Sequence, residues 1–408
     1  MKKKLNHWMP VLICAVMILI LILLPTGFEP MNQTIEQAED RIAARVASVD
    51  NSTIKKTGVV QSGEQSCQVE LLSGPHKGEE YTAINILSGS LEQDKIYEKG
   101  DKALVLVSFQ NEKVVSVSMI DHYRIGGELI LLFVFFAVLI LFAGWTGLRA
   151  VLSFALAVLV IWKILIPSFL QGMNPLIVGT MITVIITLLT IGLVFGFDKR
   201  CLSACAGAGV GLILTALLGI FCTNWFNIHG AIMAFSESLL YSGYQHLDLT
   251  QIFMASIFIG SSGAMIDLAV DIAAATDEIA EQCPTLSRME LIASAVKVGK
   301  ASMGTMITTL LLAYSGGYIA LLMVFMAQGT PLINIFNYKY VASEIIQTLV
   351  GSLGLVSVAP LTAIFSGMFL SRLQKTSPVI FETLSDDVIE DDTDDMEDLW
   401  EEELETLG

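Results

Sequence analysis

QIFMASIFIGSSGAMIDLAVDIAAATDEI, residues 251–279, decides how this chain is read. From Ile252 to Ile266 it carries no charge, and then Asp267 and Asp271 interrupt an otherwise apolar run. Residues four apart share one face of a helix, so both carboxylates point the same way. A charged carboxylate in hydrocarbon costs a few kcal/mol or more, and such groups are expected to face a protein interior or a water-filled path. The rest of the sequence must supply the reason for that cost.

The chain has 408 residues, 54% of them hydrophobic and 15% charged, with a mean hydropathy of +0.67. A soluble domain of this length would not be so apolar, and several stretches are long enough to cross a bilayer as helices. The candidates are Trp8–Leu24, Glu128–Trp145, Ala150–Pro167, Pro175–Phe197, Leu202–Thr223, Ile252–Asp271, Met303–Met326 and Glu344–Phe369. The fold class expected is a polytopic α-helical membrane protein of about eight transmembrane helices. Basic residues set the orientation. With both termini in the cytoplasm, Lys2, Lys3, Lys4, Arg149, Lys199, Arg200, Arg288, Lys297, Lys300, Arg372 and Lys375 fall on the inner side. The first span, within residues 1–24, follows a basic start and lacks a small-residue cleavage site, so it reads as an uncleaved signal anchor.

The net charge of −17 is local. Fourteen acidic residues and no basic ones follow Lys375, which leaves about −3 on the remainder. This acidic tail, residues 374–408, places Met396, Leu399, Trp400, Leu404 and Leu407 at helical spacing. It is suited to docking on basic cytoplasmic helices of this chain or of a partner protein. The six cysteines show no metal-ligand spacing, and Cys67 alone lies in the external region, where it has no disulfide partner. His229, Glu237, His246 and Asp248 share one external loop without a recognised ligand pattern, so no metal and no cofactor is expected.

Residues 25–127 form the only sizeable soluble region, expected outside the membrane. Short β-like runs at Gly58–Val60, Gln68–Leu72, Tyr81–Leu87, Ala103–Val107 and Val114–Met119 are separated by turn signals. They suggest a small OB-like barrel, with a generic β-sandwich as the alternative. Its opening, Asn32–Val49, reads as a short helix or a linker. Few exposed aromatics and mixed charge argue against nucleic acid as a partner.

Residues 128–373 form a membrane domain of seven expected helices. Gly207 and Gly211 have the spacing that lets helix backbones approach closely. The pentapeptide GTMIT occurs at Gly179 and at Gly304, in spans of opposite direction, as an inverted repeat would place it. Ser287–Ser302 reads as an amphipathic cytoplasmic connector ahead of the Met303–Met326 span. The candidate proton or cation site joins Asp267 and Asp271 with the hydroxyls of Ser261 and Ser262, where Gly260 and Gly263 permit local unwinding. Lys300 is a possible counter-ion for Asp271, Asp277 or Glu278.

The Gly263-Ala-Met-Ile-Asp-Leu-Ala-Val-Asp-Ile-Ala273 segment, with Glu278 and the following Gly299-Lys-Ala-Ser-Met-Gly-Thr-Met306, resembles the YibE/F family of bacterial multipass membrane proteins. Gly100-Asp101 and Asp121-His-Tyr-Arg124 extend the resemblance to all but the acidic tail. It implies a bacterial cell membrane location and no defined activity. The function expected from the residues themselves is an ion-coupled transporter or permease-like protein, its partners being the lipid bilayer and a small ion or proton. The alternative is a non-transporting scaffold that recruits partners through the external domain and the acidic tail. An intramembrane aspartyl protease would need carboxylates on two facing helices, so no enzymatic activity is expected.

Overall fold

The computed structural model describes residues 2–25, 38–110 and 113–371. The acidic tail and its helical spacing therefore lie outside the described residues. Helix α1 (Lys2–Leu23) precedes six strands: β1 (Ala38–Asp50), β2 (Lys55–Thr57), β3 (Val60–Leu71), β4 (Glu80–Ser88), β5 (Lys102–Gln110) and β6 (Lys113–His122). Strand β1 pairs with both β3 and β5, so the sheet β1-β5-β6-β4-β3 closes on itself, while β2 is a short arm on β3. Neighbours are antiparallel except β4 and β6. This five-strand closure is the OB-type barrel that the turn spacing predicted.

The opening segment is corrected over its described residues, which from Ala38 to Val49 are neither helix nor linker but strand β1. Ile42, Ala44 and Val46 face the core, where they meet Cys67, Val69 and Val105. Alanines on both faces hide the two-residue period, and only pairing on both edges fixes the strand. A small polar cluster centred on Gln65 crosses the barrel interior, and Asn85 donates to its side-chain oxygen at 3.1 Å. Buried Gln65 accepts from the Tyr97 N–H at 3.0 Å and donates to the Tyr97 carbonyl at 2.9 Å. It thereby stands in for a strand partner in a loop that has none.

The helices that follow are α2 (Ile125–Val160), continued through a π-helical turn into α3 (Ile166–Leu170), then α4 (Pro175–Phe195), α5 (Lys199–Trp225), α6 (Ser236–Tyr241), α7 (Leu249–Gln282), α8 (Arg288–Gly316), α9 (Ile319–Ala327), α10 (Leu332–Asn337) and α11 (Lys339–Leu370). Among the described residues five segments are long and apolar enough to cross a membrane: Ile125–Leu170, α4, α5, α7 and α11. The pair α8 and α9, bent by 65°, makes a sixth if read as one span, and Trp8–Leu23 is a shorter apolar helix. Within α2 the chain turns back at Gly144, whose φ of 55° and ψ of −123° break the helix. The Phe136 and Phe154 rings are 6.0 Å apart. Eighteen residues of straight helix would hold them roughly 27 Å apart. Two antiparallel arms result, as the two short spans predicted there require.

The bundle is built around α5 and α11. Gly207 faces Thr362, Gly211 faces Val358, and Gly354 faces Thr215; a Cβ at any of these glycines would collide with its neighbour. The pairs advance by four residues on each helix in opposite directions, so the two backbones run antiparallel at close range. Helix α7 lies over this seam, with Met265 against Thr215 and Gly354. Helix α8 also packs along α11, Gly299 meeting Ala359 and Gly367 meeting Ile292. The expected connector Ser287–Ser302 is thus the first half of a continuous bundle helix. Ser287 does start it, through a capping box with Glu290. The two GTMIT copies are not equivalent: Gly179 is buried against Ala255 and Phe258, one turn into α4, whereas Gly304 lies in the middle of α8 beside open space.

Two outcomes test this architecture. Gly211→Leu should lower the stability of the detergent-solubilised protein by about 1–3 kcal/mol or more through overpacking, whereas Gly209→Leu should not. Thermal unfolding of the two variants decides. Cys67 is fully buried in the barrel, and burial pushes its thiol up to about 11. A thiol reagent at neutral pH should therefore label Cys67 only after denaturation.

Candidate functional site

Asp248 starts α7: its Oδ1 accepts from the N–H groups of Thr250 and Gln251, both at 3.0 Å. The residue weighed as a metal ligand is a helix cap, and His229 likewise accepts from the Ala231 N–H at 3.1 Å. Among the described residues no three His, Cys, Asp or Glu side chains are placed to hold a metal ion. From its cap α7 runs unbroken to Gln282, without the local unwinding expected at Gly260–Gly263.

The buried face of α7 carries Ile257, Phe258, Ser261, Met265, Leu268 and Ile272. The opposite face leaves Gly260, Gly263, Asp267, Asp271, Ala274 and Glu278 exposed along one stripe. Asp267 and Asp271 thus share a face, as their spacing predicted. They do not enter the protein core, because the steps of three and four that align them also turn them away from α5 and α11.

The predicted set of four is not brought together. Ser261 is buried, its Oγ donating to the Ile257 carbonyl at 3.0 Å, and it packs on Gly351 of α11. Ser262 donates to the Ile259 carbonyl at 2.7 Å. Both hydroxyl protons are engaged by their own helix, about 120–140° around it from Asp267 at 3.6 residues per turn. Ser261 thereby keeps its hydroxyl satisfied at the close contact with α11.

Lys300 makes no ion pair among the described residues. The partner of Asp277 is Arg200, with Nε 3.5 Å from the carboxylate. Arg200 also bonds Asp198 at 2.8 Å, and Asp198 caps α5 through the Cys201 N–H. Together with Lys199, Glu281 and Leu370 these residues line a cavity of about 370 Å³ at one end of the bundle. Arg149, assigned to a loop from sequence, is buried and donates to the Val194 carbonyl at 3.3 Å, at the C-terminal end of α4. These residues mark a charged belt. Relative to Asp277 in that belt, Asp271 and Asp267 lie six and ten positions deeper, roughly 9 and 15 Å by helical rise.

The depth can be read from neighbours as well. Ile272 meets Gly299 of α8, and Met265 meets Gly354 near the middle of α11. Asp267 lies between these levels. The sequence missed Arg149 and Arg200 as belt residues, because positive residues near span ends look alike until a partner is placed.

A search of curated proteins finds no match, and neither does a search of solved structures. Two family models do match. The YibE/F family N-terminal domain covers residues 37–123, which is the barrel, and the YibE/F-like protein model covers residues 131–372, which is the helical bundle. With both of its parts matched in order, the chain belongs to the YibE/F family.

Proposed function

We propose that this protein is an ion-coupled transporter or permease-like protein of the bacterial cell membrane, with Asp267 as its principal proton or cation site and Asp271 beside it. The observation that carries the reading is the pair itself. Two carboxylates occupy one exposed stripe of an apolar helix, deeper than the charged belt, and neither forms an ion pair among the described residues. Such a stripe tolerates hydrocarbon when its carboxylates are neutral or ion-bound, and demands water or a cation when they are charged. Loading and unloading would therefore favour different arrangements of the surrounding helices. The reading takes α1, the two arms of α2 with α3, α4, α5, α7, the bent α8–α9 pair and α11 as eight crossings. Both chain ends are then cytoplasmic and the barrel external. It assigns no enzymatic chemistry.

A partner-recruiting scaffold is the second reading, favoured by one feature of the barrel. Strand β4 turns Asn85 inward and leaves Ile84 and Ile86 outward, 47% and 72% exposed, beside a surface cavity of about 480 Å³. Apolar residues displayed on a strand next to a groove suit a protein partner.

Thermal unfolding across pH and a panel of cations separates the two. A ligand that binds only the folded state at a hundred times its Kd adds about 2.7 kcal/mol. The transporter reading expects a pH- or cation-dependent shift in the wild type that Asp267→Asn reduces. Identical profiles would move the weight to the scaffold. Water access is tested separately with single cysteines in a cysteine-free background. Asp267→Cys and Asp271→Cys should react with a membrane-impermeant thiol reagent and Leu268→Cys should not. If all three stay silent, the stripe faces lipid and the transport path lies elsewhere.

A further inference from the structure

A third intramembrane carboxyl group lies far from the Asp267 stripe in sequence and close to its upper end in space. Because α11 begins at Lys339, Glu344 is more than one turn inside the helix and half-buried. The Tyr318 hydroxyl sits beside its carboxylate, while Glu344 Oε1 is buried without a hydrogen-bond partner. One turn further along α11, Gln347 lies beside Tyr314, whose hydroxyl is also buried and lacks a hydrogen-bond partner of good geometry. Both Tyr314 and Gln347 rest on Gly260, where a Cβ would come within 2.9 Å of the Tyr314 hydroxyl. Gly260 is the first residue of the stripe that continues through Gly263 to Asp267 and Asp271.

Two features make this cluster a binding site and not only a buried carboxyl. Buried polar atoms without partners are costly, and here two of them, from Glu344 and Tyr314, lie in one cluster. The cluster also sits where α8 ends at Gly316 and the chain bends by 65° into α9. The C-terminal end of a helix carries partial negative charge, which favours a cation. Interrupted membrane helices of this kind coordinate ions in transporters. Among the described residues no ion pair answers Glu344: α7 has no charged group between Asp248 and Asp267, the turn from α8 into α9 supplies Tyr314 and Tyr318 here, Lys339 at the start of α11 lies over the Tyr340 ring, and His229 caps its own turn.

We propose that Glu344, Tyr318, Tyr314 and Gln347 form a site for one monovalent cation, a proton or an alkali ion, at the end of the path opposite Asp271. One carboxylate among neutral oxygens balances a single positive charge. The site deepens the ion-coupled reading and rests on it for its role in transport, but its occupancy is testable alone.

The test uses the full-length protein in nanodiscs and compares wild type, Glu344→Gln, Tyr318→Phe and Asp267→Asn. Thermal unfolding is measured in sodium, potassium and N-methylglucamine chlorides at constant ionic strength, and infrared difference spectra are recorded on acidification. For an alkali ion, stabilisation by sodium or potassium disappears in Glu344→Gln and persists in Asp267→Asn. For a proton, no salt preference appears, and a carboxylic C=O band is lost in Glu344→Gln and kept in Asp267→Asn. Tyr318→Phe retains the charge, and it should weaken the alkali effect about tenfold or move the band, as expected for one hydrogen bond to a charged group. It also serves if Glu344→Gln does not fold. Wild-type behaviour in Glu344→Gln, or in Tyr318→Phe when that variant stands in, overturns the site. If Asp267→Asn also leaves the pH profile of unfolding unchanged while Glu344→Gln loses its salt effect or band, the Asp267 reading fails and this site remains.

Discussion

Everything in the bundle depends on how closely α5 and α11 approach. With Gly207, Gly211 and Gly354 on the shared seam, the two backbones meet where any side chain would hold them apart. Lipid offers apolar side chains no net gain from leaving it, so association has to come from close van der Waals packing. The seam also fixes the rotation of α7, because Met265 fits against Thr215 and Gly354 while Ser261 fits against Gly351. Once those contacts are set, the helical period alone places Asp267 and Asp271 on the far side. The carboxylates are thus directed outward by the same packing that holds the core together.

That geometry changes what the aspartates ask of their surroundings. Carboxylates inside the core would have needed buried partners, and a buried charge without one is severely penalised. On the stripe they are answered by whatever meets that face. The charged belt is different in kind: Arg200 is committed to Asp198 and Asp277 and anchors the bundle end, so its charges are satisfied and static.

Much of this was legible in the sequence, for identifiable reasons. The apolar runs, the Gly207–Gly211 spacing, the helix starting at Ser287 and the shared face of the two aspartates all follow from local periodicity. The barrel announced itself through turn residues between alternating strands, but β1 did not, because its alanines blur the alternation that pairing on two edges later enforces. The serines were misassigned for a similar reason. Proximity in sequence put Ser261 and Ser262 beside Asp267, whereas 100° per residue put them on another face. Glu344 was taken as the border of a span, and only the earlier start of α11 and the bend after Gly316 bring it to Tyr314 and Tyr318. Lys300 was matched to acids by sequence distance, which carries no information about which face a helix turns toward its neighbour.

The junction between barrel and bundle has a mechanical side. Strand β6 ends at His122, the Tyr123 N–H still bonds the Lys102 carbonyl at 2.8 Å, Arg124 pairs with Asp121 at 3.0 Å, and α2 begins at Ile125. Only two residues, Tyr123 and Arg124, therefore separate a closed barrel from a helical arm that doubles back at Gly144. So short a coupling leaves no slack to absorb rotation. Torque applied to the barrel by anything that grips it passes into α2 as into the shaft of a lever, with the Trp8–Trp145 ring contact at 4.4 Å near its fulcrum.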